Sequence, residues 1–158
     1  MDGLNRETGH HAGGDDQPQP HACRVLVVED DRPTREVLTK ALAFFGFRVH
    51  AAGTLADGRA EFDRGGDEED AVVLDLNLPD GNGVELLRQI RARNLPVRVA
   101  VCTASKDESL MSEVRALGPD AVFPKPFDLP PLLRWLGREE KCGASAASPR
   151  ATRVSGSR

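Results

Sequence analysis

The stretch Ala71-Val72-Val73-Leu74-Asp75-Leu76-Asn77-Leu78-Pro79-Asp80-Gly81-Asn82-Gly83 constrains the fold most, because a run of strand-formers stops abruptly on a carboxylate. Ala71 to Leu74 contain no polar side chain and are too short for a helix. That pattern predicts a strand buried on both faces of a parallel sheet. Asp75 then stands at its carboxyl end. In open α/β sheets the loops beyond the carboxyl ends of the strands form the ligand crevice. A plainer role is also open to Asp75, that of a residue turning the chain with the help of Pro79, Gly81 and Gly83. Its neighbours have to decide between the two.

The flanking sequence predicts four more such units. Arg24 to Val28 is an apolar, β-branched run ending at Glu29-Asp30-Asp31. A helix follows, with Asp31 as N-cap, Pro33 in the first turn, a stripe of Val37, Leu38, Ala41, Leu42 and Phe45, and Gly46 as its stop. Phe47 to Ala51 reads as a second strand, and Thr54 caps a helix carrying Leu55, Ala56, Ala60 and Phe62. Gly65 to Asp70 reads as a solvated, charged loop. After the Asp75 turn, Val84, Leu87 and Ile90 mark a helix face with Arg88 and Arg91 beside it. Val97 to Cys102 is a fourth strand ending at Thr103, and Leu110, Met111, Val114 and Leu117 mark a helix closed by Gly118-Pro119. Ala121 to Phe123 is a fifth strand running into Pro124-Lys125-Pro126. Leu129, Leu132, Leu133 and Leu136 give the last helix, with Trp135 off that face. Five strands alternating with five helices predict a doubly wound, five-stranded parallel α/β sheet over residues 23–138.

Residues 1–22 are polar and rich in Gly, Pro and His, so they are expected to form a disordered leader; His10, His11 and His21 have no carboxylate or cysteine at ligand spacing. Residues 139–158, rich in Gly, Ala, Ser and Arg, are expected to be a flexible low-complexity tail. With 158 residues, the chain holds one sizeable core. A net charge of −4 with no basic stripe excludes bulk attraction of nucleic acid to the core. Cys23, Cys102 and Cys142 form no CxxC pair and leave one over, which argues against a disulfide framework or a zinc site and for a reducing cytosol. No run approaches the ~18 apolar residues of a membrane helix, and the N-terminus lacks a signal-peptide pattern.

Four of the five strands end in groups suited to phosphate chemistry: Glu29 and Asp30, then Asp75, Thr103 and Lys125. A parallel sheet sets them on one edge. Like charges in such a cluster repel by about 4 kcal/mol per pair at ~4 Å and an effective dielectric near 20, so the cluster needs solvation or a cation. Asp31 has a capping role available, which leaves Glu29 and Asp30 for chemistry. A carboxylate nucleophile, further carboxylates for a hard cation, a hydroxyl and an ammonium together describe a phosphoryl-acceptor site.

Val-Leu-Val-Val-Glu-Asp-Asp, Leu-Asp-Leu-Asn-Leu-Pro-Asp-Gly-Asn-Gly, Thr-Ala-Ser and Phe-Pro-Lys-Pro-Phe resemble, in order and over the whole predicted core, the motifs of the receiver domain of bacterial two-component response regulators. The resemblance implies a flavodoxin-like sheet of order 2-1-3-4-5. It implies that Asp75 accepts a phosphoryl group, that Glu29, Asp30, Asp75 and the backbone carbonyl of Asn77 hold Mg2+, and that Thr103 and Lys125 are the switch hydroxyl and phosphate-binding lysine. It makes Lys125-Pro126 a candidate cis peptide. The implied partners are a sensor histidine kinase or phosphotransfer protein and a downstream protein, with no nucleic acid on the core and no membrane. The expected location is the cytoplasm. No turnover of an added substrate is expected beyond self-phosphorylation and autodephosphorylation. One position departs from the family: where it often has Tyr or Phe, three residues before the lysine, this chain has Val122, and strand alternation turns Phe123 to the other face.

The leading expectation is a single-domain regulator acting through protein partners. Two alternatives are the receiver half of a DNA-binding regulator whose output domain is absent, and a haloacid-dehalogenase-type phosphatase. The latter family carries its nucleophile on the first strand with a second Asp two residues later, a position held here by Asn77.

Overall fold

The computed structural model describes residues 22–65 and 68–137. The leader and the tail, with His10, His11 and His21, lie outside the described residues apart from Ala22. The β-branched runs form a parallel sheet from β1 (Arg24–Val28), β2 (Arg48–Ala52), β3 (Ala71–Asp75), β6 (Arg98–Thr103) and β7 (Ala121–Pro124), in the order β2-β1-β3-β6-β7. Counted among the five sheet strands, this is the expected order 2-1-3-4-5. β4 (Asn77–Leu78) and β5 (Gly81–Asn82) form a two-residue antiparallel hairpin just after Asp75.

Strand alternation divides the core. Leu26, Val28, Val72, Leu74, Val99 and Val101 face one layer, built with α2 (Leu55–Gly65), α3 (Val84–Ala92) and α4 (Glu108–Leu117). Val25, Val27, Ala71, Val73, Ala100 and Cys102 face the other, built with α1 (Arg32–Phe44) and α5 (Leu129–Leu136). All five residues of β3 are buried, as a central strand covered by helices on both faces requires. Truncating a fully buried leucine such as Leu74 would cost about 2–5 kcal/mol.

Several local expectations need correction. α1 buries only Leu38 and Leu42. Val37 and Phe45 of the predicted stripe are exposed, as is Phe44, so this helix meets the sheet along a narrower seam. On α2, Leu55 and Phe62 are buried but Ala56 and Ala60 are exposed; Gly58 takes the close contact, where a Cβ would lie 3.1 Å from Val28. α3 also buries Leu86. β2 and β6 each start one residue later than the apolar runs imply.

The charged loop before β3 is not simply solvated. Glu69 is buried and its Oε1 lies 2.9 Å from His50 Nδ1, while Arg24 binds the Asp70 carboxylate through its backbone N–H and Glu68 through its guanidinium. Cys23 is disulfide-bonded, against the expectation from the cysteine count. An odd total leaves one thiol over without forbidding a pair; Cys102 is free and buried. Trp135 packs under Arg98, whose guanidinium lies 4.7 Å from the ring centroid. Among the described residues no helix is long and apolar enough to cross a membrane.

Candidate functional site

The carboxyl ends of β1, β3, β6 and β7 bring the predicted groups to one edge. Glu29 follows β1, and its N–H donates to Ala52 O at 3.0 Å, which ties the acidic loop to the end of β2. Its Oε1 accepts from Asp31 N at 3.1 Å. Asp31 itself caps α1, accepting from Thr34 N at 3.0 Å, and so is occupied structurally. The Thr34 hydroxyl, which donates to the same carboxylate oxygen, together with that backbone N–H holds the Asp31 carboxyl below the ordinary aspartate range.

Asp75 ends β3 and is buried. Its Oδ1 accepts from Asn77 N at 3.0 Å, and the turn beyond it allows no extra atom at Gly83, where a Cβ would sit 2.2 Å from Asp75 O. Asp80 fixes the same turn from outside. Its two oxygens accept from Leu55 N at 2.7 Å and Ala56 N at 2.9 Å, capping α2 across space alongside Thr54. Those two N–H groups hold the Asp80 carboxyl below its ordinary range. This cap was missed in the sequence because its partner lies about two dozen residues away.

Glu29, Asp30 and Asp75 each offer an oxygen within 4.8 Å of the others. Lys125 directly follows β7 and leads into Pro126 through a cis Lys125-Pro126 bond, and its backbone N–H donates to Thr103 O at 2.8 Å. Its Nζ bridges Glu29 Oε2 at 2.5 Å and Asp75 Oδ2 at 2.9 Å. An ion pair alone would lower the Glu29 pKa. Burial, helped by the Asp75 charge, prevails and raises it above the ordinary glutamate range. Burial likewise opposes the Lys125 ammonium, but the hydrogen bonds to Glu29 and Asp75 together outweigh it and hold its pKa high. One ammonium thus faces three carboxylates. The all-oxygen donor set and the uncompensated charge fit a hard divalent cation such as Mg2+.

Thr103 is buried at the end of β6, and its Oγ1 accepts from Ser105 N at 3.0 Å. Val122 is 39% exposed. Phe123 points to the opposite face, inside the α1/α5 core layer with its ring 6.0 Å from Phe127. Cys102 lies beside Asp75 in the sheet register, and burial pushes its thiol up to about 12.

The response regulator receiver domain model matches residues 25–136. The chain belongs to the response regulator receiver family. It is 42% identical over 113 residues to the response regulator MprA of Mycolicibacterium vanbaalenii, covering 70% of this chain and 47% of that protein. The MprA of Mycobacterium tuberculosis H37Rv is 40% identical over 115 residues, covering 71% and 48%. The chain therefore spans about half the length of these curated relatives. Among solved structures, a CheY-like receiver domain protein from Methanospirillum hungatei superposes with a TM-score of 0.68 at 25% identity, covering 78% of this chain and 96% of that one. The BeF3-activated DrrB receiver domain gives 0.62 at 28% identity, covering 74% and 96%. Family membership and a nucleophile candidate on the third sheet strand set aside the haloacid-dehalogenase alternative.

Proposed function

We propose that Asp75 accepts a phosphoryl group from the phosphohistidine of a sensor kinase or phosphotransfer protein, and that residues 23–138 act as the receiver unit. The supporting observation is the convergence of Glu29, Asp30, Asp75 and Lys125 at one sheet edge. A carboxylate oxygen of Asp75 attacks phosphorus as the P–N bond breaks, and the imidazole leaves with that electron pair. Water attacking the resulting acyl phosphate returns Asp75 and inorganic phosphate. Glu29, Asp30, Asp75 and the Asn77 carbonyl are the groups that hold Mg2+, and the metal, when bound, supplies positive charge to the transferring oxygens. Before transfer Lys125 restrains the carboxylates; afterwards its ammonium pairs with the new phosphate. The Thr103 hydroxyl then leaves Ser105 N to donate to a phosphoryl oxygen.

Output passes to a protein partner through the face of α4, β7 and α5, and the protein works in the cytoplasm, where kinases present their phosphohistidine. A second reading, the receiver part of a longer DNA-binding regulator, is favoured by the match to about half of each curated relative. Phosphotransfer profiling against the organism's purified kinases tests the main reading: one kinase should label the chain rapidly, and labelling by none would refute it. The length of the full gene separates the two outputs.

A further inference from the structure

Arg35 forms no ion pair with the carboxylates, yet its guanidinium is hydrogen-bonded to the backbone of the loop that carries them. Its Nη1 donates to Glu29 O at 2.6 Å and to Asp30 O at 3.1 Å. The guanidinium lies over Gly53 at the end of β2, where a Cβ would sit 3.0 Å from Nη1 and 3.3 Å from Cζ. Its own backbone is fixed in α1, with Arg35 N donating to Asp31 O at 2.9 Å and Arg35 O accepting from Thr39 Oγ1 at 2.8 Å.

From this geometry, and resting on the reading of the site as a Mg2+-dependent phosphoryl acceptor, we propose that Arg35 is a positioning residue that presets the Glu29 and Asp30 carboxylates for the metal. A side chain is aimed by the peptide that carries it. Glu29 and Asp30 stand in a short turn between β1 and α1, and one nitrogen of a planar, helix-anchored guanidinium holds both of their carbonyls. The Glu29 N–H bond to Ala52 O fixes the other side of the same peptide chain. Two successive peptide planes are thereby set before any cation arrives. Arg35 also places positive charge behind the loop without occupying an oxygen that a metal would use. Lys125 differs, because its ammonium sits directly on carboxylate oxygens of Glu29 and Asp75. Gly53 belongs to the same device, since a Cβ there would lie 3.0 Å from Nη1 and oblige the guanidinium to give by a few tenths of an ångström.

The test is isothermal titration of Mg2+ into the full chain and its variants, each first shown by metal-free melting to be folded at the titration temperature. Arg35→Ala should weaken Mg2+ binding roughly tenfold, the size expected when a group orienting a metal's ligands is lost. Arg35→Lys should recover only part of it, because a shorter ammonium cannot hold both carbonyls and cover Gly53. Gly53→Ala, which keeps every charge, should weaken binding in the same direction, and it carries the test if Arg35→Ala fails to fold. Arg32→Ala, which removes a like charge one turn away where the guanidinium pairs with Glu36, should bind Mg2+ as the unsubstituted chain does. Unchanged affinity in Arg35→Ala, or an equal loss in Arg32→Ala, would overturn the positioning role and leave the function standing. If the unsubstituted chain bound no Mg2+, the proposed function would fall and this inference with it.

Discussion

Replacing Lys125 by Met tests whether its ammonium holds the site together before a metal arrives. The substitution keeps most of the stem and removes the charge that lies 2.5 Å from Glu29 and 2.9 Å from Asp75. Both carboxylate side chains are nearly inaccessible, at 3% and 4% exposure, while that of Lys125 is 22% exposed. Breaking a fully buried pair costs about 3–5 kcal/mol; the partial exposure of Lys125 brings the expectation here to about 2–3 kcal/mol, a fall in Tm of roughly 6–15 °C for a domain of this size. The sign with pH is fixed. The Glu29 pKa is raised in the folded state, so the stability linked to its protonation is complete below the ordinary glutamate value and is lost as pH rises through the folded-state value. Removing Lys125 raises that value further, so the damage should be largest near neutrality and shrink on mild acidification. Mg2+ should substitute for the missing charge: at a hundredfold excess over Kd a ligand adds about 2.7 kcal/mol. Thermal melts in chelator and in saturating Mg2+, at neutral and mildly acidic pH, give the answer. Mg2+ should raise the Tm of the variant by more than that of the unsubstituted chain. Equal increments in the two proteins, or a variant as stable as its parent in chelator, would refute the reasoning.

Three further outcomes are expected. Val122 is β-branched and partly exposed, too short to fill space vacated by a moving Thr103, so beryllofluoride should change amide exchange over residues 105–136 only slightly; large protection there would show that Val122 does not limit the switch. Asp80→Ala should lower Tm and speed amide exchange at Leu55 and Ala56. Because the Asp80 pKa is lowered by folding, its contribution is present above the ordinary aspartate value and lost as pH falls through the folded-state one, so an undiminished difference in strong acid would contradict the cap. Cys102, buried with its thiol pushed up to about 12, should resist alkylation at neutral pH in the folded protein and react on unfolding; rapid native labelling would count against that burial.

How much of this was legible in the sequence depended on the range of the interaction. Ala71 to Asp75 could be read because a strand buried on both faces leaves an unbroken apolar run, and Asp31, Pro33 and Gly118 mark helix ends within one turn. The motif order then located Glu29, Asp30, Asp75, Thr103 and Lys125. Contacts made across the sequence left no such trace. Asp80 caps a helix whose start lies far behind it, and Glu69 looked like one more member of a charge run until His50 came alongside from β2. Val37 and Phe45 misled for a related reason. Apolar character predicts which residues can be buried, while packing against α5 and the sheet decides that Leu38 and Leu42 are.

The central claim is that Asp75 is the phosphoryl acceptor and that acceptance needs a divalent cation. Incubating the full chain and Asp75→Asn with a small phosphodonor, with Mg2+ and with chelator, and reading intact mass gives the most direct answer. One added phosphoryl group, only with Mg2+ and only on the unsubstituted chain, is the predicted result. Undiminished phosphorylation of Asp75→Asn, or labelling that persists in chelator, would contradict it.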